Sequence, residues 1–173
     1  QWWEVAKLAA SDGEFQDNFG YSVAINAYWA VVGAAQRDEG GIRDAGVAYV
    51  FKNTGSGWTE AAKLSAADPA WGAYFGLSAD LDADRAIIGA GFDQSYVGAA
   101  YVFELVDGNW IQHSKLVPTD AVAGDQFGYS VGLDGDYCIA GSWLDSLPPD
   151  GAGSAYIFTT IPEPSSLMLV AAG

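Results

Sequence analysis

The sequence predicts an all-β fold, a β-propeller fragment of about three four-stranded antiparallel blades. Two observations carry this. A Phe-Gly run occurs three times, at Phe19-Gly20, Phe75-Gly76 and Phe127-Gly128, and each copy closes on a second glycine at the same spacing, Gly33, Gly89 and Gly141. Around this run, four strand-like segments recur at a period of 56 and then 52 residues, with no helical periodicity between them. Four strands per period of this length are the signature of a propeller blade, whereas solenoid repeats are usually shorter.

The elements follow in order. The first run of each period is Trp-x-x-x-x-Lys-Leu, at Trp2 to Leu8, Trp58 to Leu64 and Trp110 to Leu116. Period-two alternation in the first copy puts Trp2, Glu4, Ala6 and Leu8 on one face and Trp3, Val5 and Lys7 on the other. A loop follows in which Asp12, Asp68 and Asp120 each stand five residues after the Lys. The second run is Phe-Gly-x-Ser: Phe19 to Ile25, Phe75 to Leu81 and Phe127 to Leu133. The third is Trp29 to Gly33, Arg85 to Gly89 and Tyr137 to Gly141. Between these two runs Asn26-Ala27, Asp82-Ala83 and Asp134-Gly135 are read as tight hairpin turns, Asp-Gly being the strongest of the three signals. The fourth run is Gly-x-Ala-Tyr-Val/Ile-Phe, at Gly46 to Phe51, Gly98 to Phe103 and Gly153 to Phe158. Only the connection between the third and fourth runs changes length, and such insertions gather in loops free of packing duties, often on the binding face of a repeat array.

Composition narrows the function. Half the residues are apolar and mean hydropathy is +0.10, enough for a sizeable core. The 22 acidic and 7 basic residues leave a net charge of −15, which repels phosphate backbones and excludes a nucleic-acid partner. The lone cysteine, Cys138, lies in an apolar run and is read as a buried, inert thiol. His113 is the sole histidine, at a position held by Ala61 and Val5 in the other copies, so zinc and a repeat-wide catalytic role lack ligands. There is no Cys-x-x-Cys pair or phosphate loop. The chain opens on Gln1 and is read as a segment of a longer precursor, with further blades expected upstream.

Phe-Gly with the later Gly-Ala, followed by Gly-x-Ala-Tyr-Val-Phe and Trp-x-x-x-x-Lys-Leu, resembles the FG-GAP repeat of integrin α-chain propellers, here in a compact bacterial form. The Pro of the family's Gly-Ala-Pro is absent, replaced in Gly33-Ala34-Ala35, Gly89-Ala90-Gly91 and Gly141-Ser142-Trp143. The resemblance implies that the Phe-Gly strand is innermost and the Trp-Lys-Leu strand outermost. The blades are then 19–64, 75–116 and 127–158, within a repeat domain covering 1–160. Trp2 to Leu8 becomes an outer strand without its own blade. It belongs either to a preceding blade or to a closed ring in which it completes the last one.

After Phe158 the pattern stops. Pro162-Glu163-Pro164, followed by the apolar Leu167 to Ala172, resembles the start of a PEP-CTERM sorting signal, so 161–173 is read as the beginning of a C-terminal anchor segment. This implies export and residence outside the cell or in the envelope of a Gram-negative bacterium, with membrane contact through this segment alone.

Integrin-type blades hold calcium in an Asp-rich loop after the Phe-Gly strand, and Asp80, Asp82 and Asp84 mimic its opening. The glycine spacing leaves room there for a hairpin only, and alternate strand residues point to opposite faces, so these carboxylates are read as turn and edge residues and no cofactor is assigned. A weaker calcium reading places the ion between loops at Asp12, Asp17, Asp120 or Asp125. Trp2, Trp58 and Trp110 with Tyr49, Tyr101 and Tyr156 recur in register and are read as packing between blades, whereas Trp71 and Trp143 lie in loops and suit ligand contact. The expected function is a non-enzymatic adhesion or interaction module that meets a protein or carbohydrate through loops 34–45, 90–97 and 142–152. The alternative is an accessory or catalytic propeller of a secreted hydrolase, with catalytic residues upstream or in the channel.

Overall fold

The computed structural model describes residues 1–145 and 151–160. The sorting-type segment 161–173 and part of the third variable loop, 146–150, lie outside the described residues. Three antiparallel sheets fill the remainder. The first has order β1 (Phe19–Ile25), β2 (Trp29–Ala34), β3 (Val47–Asn53), β4 (Trp58–Leu64). The second repeats it with β5 (Ser78–Asp82), β6 (Arg85–Ala90), β7 (Ala99–Val106) and β8 (Asn109–Leu116). The third has β9 (Phe127–Asp134), β10 (Tyr137–Ser142) and β11 (Ser154–Thr159). Among the described residues helix is confined to a turn at Asp93–Tyr96, within which Gln94 and Ser95 are left-handed. Successive sheets touch mainly through their inner strands, β5 against β1 and β9 against β5, as blades around an axis do.

Each motif residue has a packing reason. In every blade the Phe-Gly phenylalanine packs edge-on or tilted against the Tyr and Phe of the Ala-Tyr-Val/Ile-Phe strand: Phe19 on Tyr49 and Phe51, Phe75 on Tyr101 and Phe103, Phe127 on Tyr156 and Phe158. The Phe-Gly peptide also touches the preceding blade. A Cβ on Gly33 would run into the Gly76 carbonyl, and a Cβ on Gly89 into the Gly128 carbonyl. The Phe-Gly-x-Ser hydroxyls donate to those same oxygens, Ser22 to Gly76 at 2.8 Å and Ser78 to Gly128 at 2.9 Å. Between blades one and two, Val31, Val50, Phe75, Ile88 and Phe103 form a continuous apolar layer. Ile87, Ala100, Phe127 and Ala140 do the same between blades two and three.

Three sequence readings are corrected. The hairpin turns sit one residue later than expected, at Ala27-Tyr28, Ala83-Asp84 and Gly135-Asp136, because Asp82 pairs with Arg85 and Asp134 with Tyr137 across the ladder. In copy one the Asn26 carboxamide accepts from the Tyr28 and Trp29 amides, so this residue opens the turn and does not occupy its centre. In copy two, β5 begins at Ser78, and Phe75–Leu77 form the turn that nests the Phe-Gly peptide. Finally, Trp2–Leu8 forms no strand, and Trp2 is fully exposed. A strand exists through its ladder, and among the described residues none runs beside this segment.

Two substitutions test the blade-to-blade contact by urea unfolding. Gly89→Ala forces a methyl into the Gly128 carbonyl and is expected to cost about 1–3 kcal/mol. Gly141→Ala meets only the Ser130 hydroxyl at 2.7 Å, which can rotate, and should cost less. Phe127→Ala empties a fully buried site and is expected to cost about 3–5 kcal/mol; a change within about 0.5 kcal/mol would place the ring on the surface.

Candidate functional site

The antiparallel order sends β2 and β4 in the same direction. The variable loops leaving each third run, and the linkers carrying the chain to the next blade, therefore emerge at one end of the arc. The opposite end carries the tight turns. There Trp29 Nε1 donates to Asp84 and the Asn26 amide to the Ala83 carbonyl, stitching blade one to blade two.

At the long-connection end a polar node recurs. The Asp placed five residues after each Lys turns back over the blade that the chain is entering. Asp12 accepts from Tyr49 Oη at 2.6 Å and from Lys63 at 3.2 Å. Asp68 accepts from Tyr101 Oη at 3.2 Å and from Lys115 at 2.7 Å. A second carboxylate from the variable loop completes each node: Glu39 on Lys63, and the fully buried Asp93 on both Lys115 and Tyr101. In blade three, Tyr156 donates to Asp145 at 2.8 Å, with Asp120 beside it. Copy one adds Arg37, buried where the other copies have Asp93 and Asp145, and paired with Asp12 and Asp17. The Tyr49 hydrogen bond is the main reason that the Asp12 carboxyl lies below its ordinary range. Burial pushes Asp68 up, but the hydrogen bond and charge of Lys115 outweigh it and hold the group low. Lys63 is raised, first by its hydrogen bond to Glu39. Burial works against the Lys115 ammonium, yet Asp68 and Asp93 raise it.

Beside the nodes lies a row of aromatic rings. Phe92 packs against Tyr74 at 5.1 Å, Tyr96 at 5.4 Å and Tyr129 at 6.3 Å, and Tyr129 continues to Trp143 at 5.4 Å. Tyr96, Tyr129 and Trp143 are all substantially exposed. Trp143 Nε1 donates to Gln126, which fixes the ring, while Trp71 stands exposed in the linker turn before Tyr74. Next to this row a polar cleft of about 300 Å³ is lined by Glu14, Asp17, Asp38, Arg43, Asp44 and Tyr74.

The FG-GAP repeat model matches residues 2–51, 58–103 and 110–158. The chain belongs to the FG-GAP repeat family. Each matched repeat starts at the Trp of a Trp-Lys-Leu run and ends at the Phe of the Ala-Tyr-Val/Ile-Phe run, so a family repeat is offset from a structural blade by one strand. FG-GAP repeats are found in extracellular or interaction modules and are generally non-catalytic. No curated protein matches the chain. Among the described residues, no helix is long and apolar enough to cross a membrane.

The FG-GAP frame also places the remaining candidates. Asp80 accepts from the Leu133 amide, Asp82 from the Gly135 amide and Asp84 from Trp29, so this trio reaches in two directions toward neighbouring blades. Asp17 is held by Arg37 and the Glu14 amide, and Asp125 accepts from the Val122 amide. His113 is the extra residue of a β-bulge in β8, with its Nδ1 against the Ser114 hydroxyl. Cys138 is buried, and burial pushes its thiol up. Among the recurring aromatics, Trp110 does bridge blades, edge-on to Trp29 at 5.4 Å. Tyr74, Phe92, Tyr96 and Tyr129 are functional candidates that the sequence reading missed, since they come from three segments, a linker, a variable loop and an inner strand, that meet only when blades stack.

The nodes make stability pH-dependent in a definite sense. Asp12 and Asp68 titrate below their ordinary value, so their contribution is present above about pH 4 and lost as pH falls through the lowered value. Lys63 and Lys115 titrate above theirs, so their contribution is present below about pH 10.4 and lost as pH rises through the raised value. Asp68→Asn should cost about 1 kcal/mol at pH 7 and narrow the difference in Tm between pH 7 and pH 3; an unchanged acid limb would show that the node is not coupled to folding. We also expect millimolar calcium to leave Tm unmoved, and a large upward shift would assign the ion to these loops.

Proposed function

We propose that this chain is an exported, non-catalytic interaction module of adhesion type, held outside the cell or in a Gram-negative envelope through the segment 161–173. It offers its long-connection face, loops 34–45, 90–97 and 142–152, to a protein or carbohydrate ligand. The observation that carries this reading is the aromatic row Tyr74–Phe92–Tyr96 and Tyr129–Trp143, partly exposed yet rigidly mounted. Exposed apolar rings held in place usually mark recognition surfaces, because contact area is gained at little ordering cost. Flat rings bordered by carboxylate acceptors suit a neutral saccharide better than an acidic one, and the net charge of −15 disfavours anionic ligands of any kind. The family background is compatible, since FG-GAP modules are extracellular or interaction units.

The test is binding of soluble neutral polysaccharides, followed by tryptophan fluorescence and affinity electrophoresis. Tyr96→Ala combined with Trp143→Ala should abolish binding while shifting Tm by no more than about 2–4 °C. Binding that survives the double substitution, or hydrolysis of the polysaccharide by the purified chain, would overturn the reading.

A further inference from the structure

We propose that the polar cleft beside the aromatic row is a subsite for one neutral pyranose residue, and that it selects the sugar by its hydroxyls while the rings hold the neighbouring residues of the polysaccharide. The ligand class is taken from the saccharide reading of the row, on which this proposal rests. Three features of the described residues carry it. The first is the position of the cleft. It holds about 300 Å³, at the lower end of the roughly 300–1,000 Å³ of small-ligand pockets. One wall is the linker 14–17 that enters blade one, and the second is the variable loop of that blade, through Gln36, Asp38, Arg43 and Asp44. The third is Tyr74, from the linker to blade two. Backbone bonds hold the walls together, from the Gln36 amide to the Asp17 carbonyl at 3.3 Å and from the Tyr74 amide to the Asp44 carbonyl at 3.1 Å. Tyr74 also packs on Phe92, so the cleft and the row share a ring. A pyranose has an apolar C–H face and a rim of hydroxyls, and a ring set beside polar groups matches both. The cleft stays open with or without a blade before the first. Blade two has such a neighbour, and there Trp71, Gln94, Ser95 and Tyr96 are all exposed, at the positions of Phe15, Asp38, Arg43 and Asp44.

The second feature is unspent hydrogen-bonding capacity. The nodes nearby are closed on themselves, with Asp12 on Lys63 and Asp68 on Lys115. In the cleft, by contrast, the Glu14 carboxylate, the Gln16 carboxamide and the Tyr74 hydroxyl bond to none of the described residues. Arg43 meets Asp44 through Nε alone, at 3.1 Å, and Gln36 accepts from Asn18 through Oε1 alone. The cleft thus offers free acceptors and free donors together, the set that hydroxyls need, since each hydroxyl both donates and accepts.

The third comes from the repeat itself. Blade two carries Ala70, Gly72 and Phe92 where blade one carries Glu14, Gln16 and Gln36. The blade therefore does not need polar side chains at these places. Gln16 is the sharpest case. Its φ is +72°, in the left-handed region where Gly72 and Gly124 of the other copies sit at +66° and +104°. A side chain there carries backbone strain that glycine avoids, and such strain gathers at functional sites. Charge then narrows the sugar. Glu14, Asp38 and Asp44 outnumber Arg43 in the lining, so uronic acids and sulfated sugars are repelled, while carboxylates accept well from the hydroxyls of a neutral one.

The test uses the full chain and two kinds of probe. The first is a set of methyl glycosides of glucose, galactose, mannose and glucuronic acid at millimolar concentration, followed by saturation-transfer NMR. A neutral glycoside should bind and the glucuronide should not. Glu14→Ala combined with Arg43→Ala should remove the signal, whereas Tyr96→Ala combined with Trp143→Ala, outside the cleft, should leave it. Gln16→Gly should weaken binding without lowering Tm, since it relieves strain as it removes the carboxamide. The second probe is the neutral polysaccharide bound by the row, whose affinity the Glu14 and Arg43 pair of substitutions should lower about tenfold, the loss of one or two good hydrogen bonds. Glycoside binding that survives those two substitutions, or that favours the glucuronide, overturns the proposal. So does polysaccharide binding that depends on the rings and ignores Glu14 and Arg43 with no glycoside bound, a result that leaves the reading of the row standing. Absence of binding to either probe overturns both.

Discussion

The structure depends on the fit of one peptide, Phe-Gly, against the glycines of the blade before it. Gly76 and Gly128 bring their carbonyls to within contact of Gly33 and Gly89, where no side chain could be accommodated, and the Ser22 and Ser78 hydroxyls satisfy those oxygens. An unpaired buried carbonyl would be costly, so the serine is as much a part of the contact as the glycine. The close approach also draws the inner strands together. The outer strands then diverge, and the space between them is filled by large side chains such as Trp29 and Trp110. The radial shape is the geometric result of small residues inside and large ones outside.

The offset between repeat and blade explains how this contact is propagated. The chain leaves the outer rim of one blade and must cross to the inner strand of the next. The linker aspartate ties that crossing down, because Asp68 bonds Tyr101 and Lys115 of the blade being entered. A linker so anchored holds the Phe-Gly turn at its end in register. It also leaves its own tip, with Trp71 and Tyr74, free to present side chains outward. The surface that could recognise a ligand is thus held by the same bonds that position the core.

Much of this was legible in the residues themselves. Glycines in constant spacing announced the repeat and alternation announced strands, whereas the pairing of each linker aspartate with the Lys of the blade being entered, Asp12 with Lys63 and Asp68 with Lys115, was not read from the spacing. What sequence spacing does not reveal is which residue of an Asp-Ala or Asp-Gly pair sits in the left-handed region, and the turns accordingly fell one residue later. The partner of an extended run is equally hidden: Trp2–Leu8 has the same pattern as β4 and β8 but lacks their ladder. The aromatic row was invisible for a third reason. Tyr74, Phe92 and Tyr129 lie in a linker, a variable loop and an inner strand, and it is the stacking of blades that brings Phe92 onto both Tyr74 and Tyr129, beside the loop tryptophan Trp143.

That difference in length has a consequence for how such a module diversifies. Loops 34–45 and 90–97 begin and end on residues locked by the glycine contacts, Ala34 with Val47 and Ala90 with Ala99. Between those anchors the first loop gives Arg37 and Glu39 to its node and the second gives Asp93, while Asp38, Gly40, Gly41 and Arg43 of the first and Gln94, Ser95 and Tyr96 of the second are exposed. Copy one shows the tolerance directly. Arg37 replaces an aspartate, and Asp12, Asp17 and Glu39 gather around the new charge without altering the sheet register. A buried charge can change sign only if its surroundings are rebuilt with it, because an unmatched one would be expelled or neutralised. The repeat therefore separates two kinds of freedom. The glycine and serine positions admit almost no change, while the node and the loop above it can be rewritten together, altering the recognition face and leaving the blade that carries it in place.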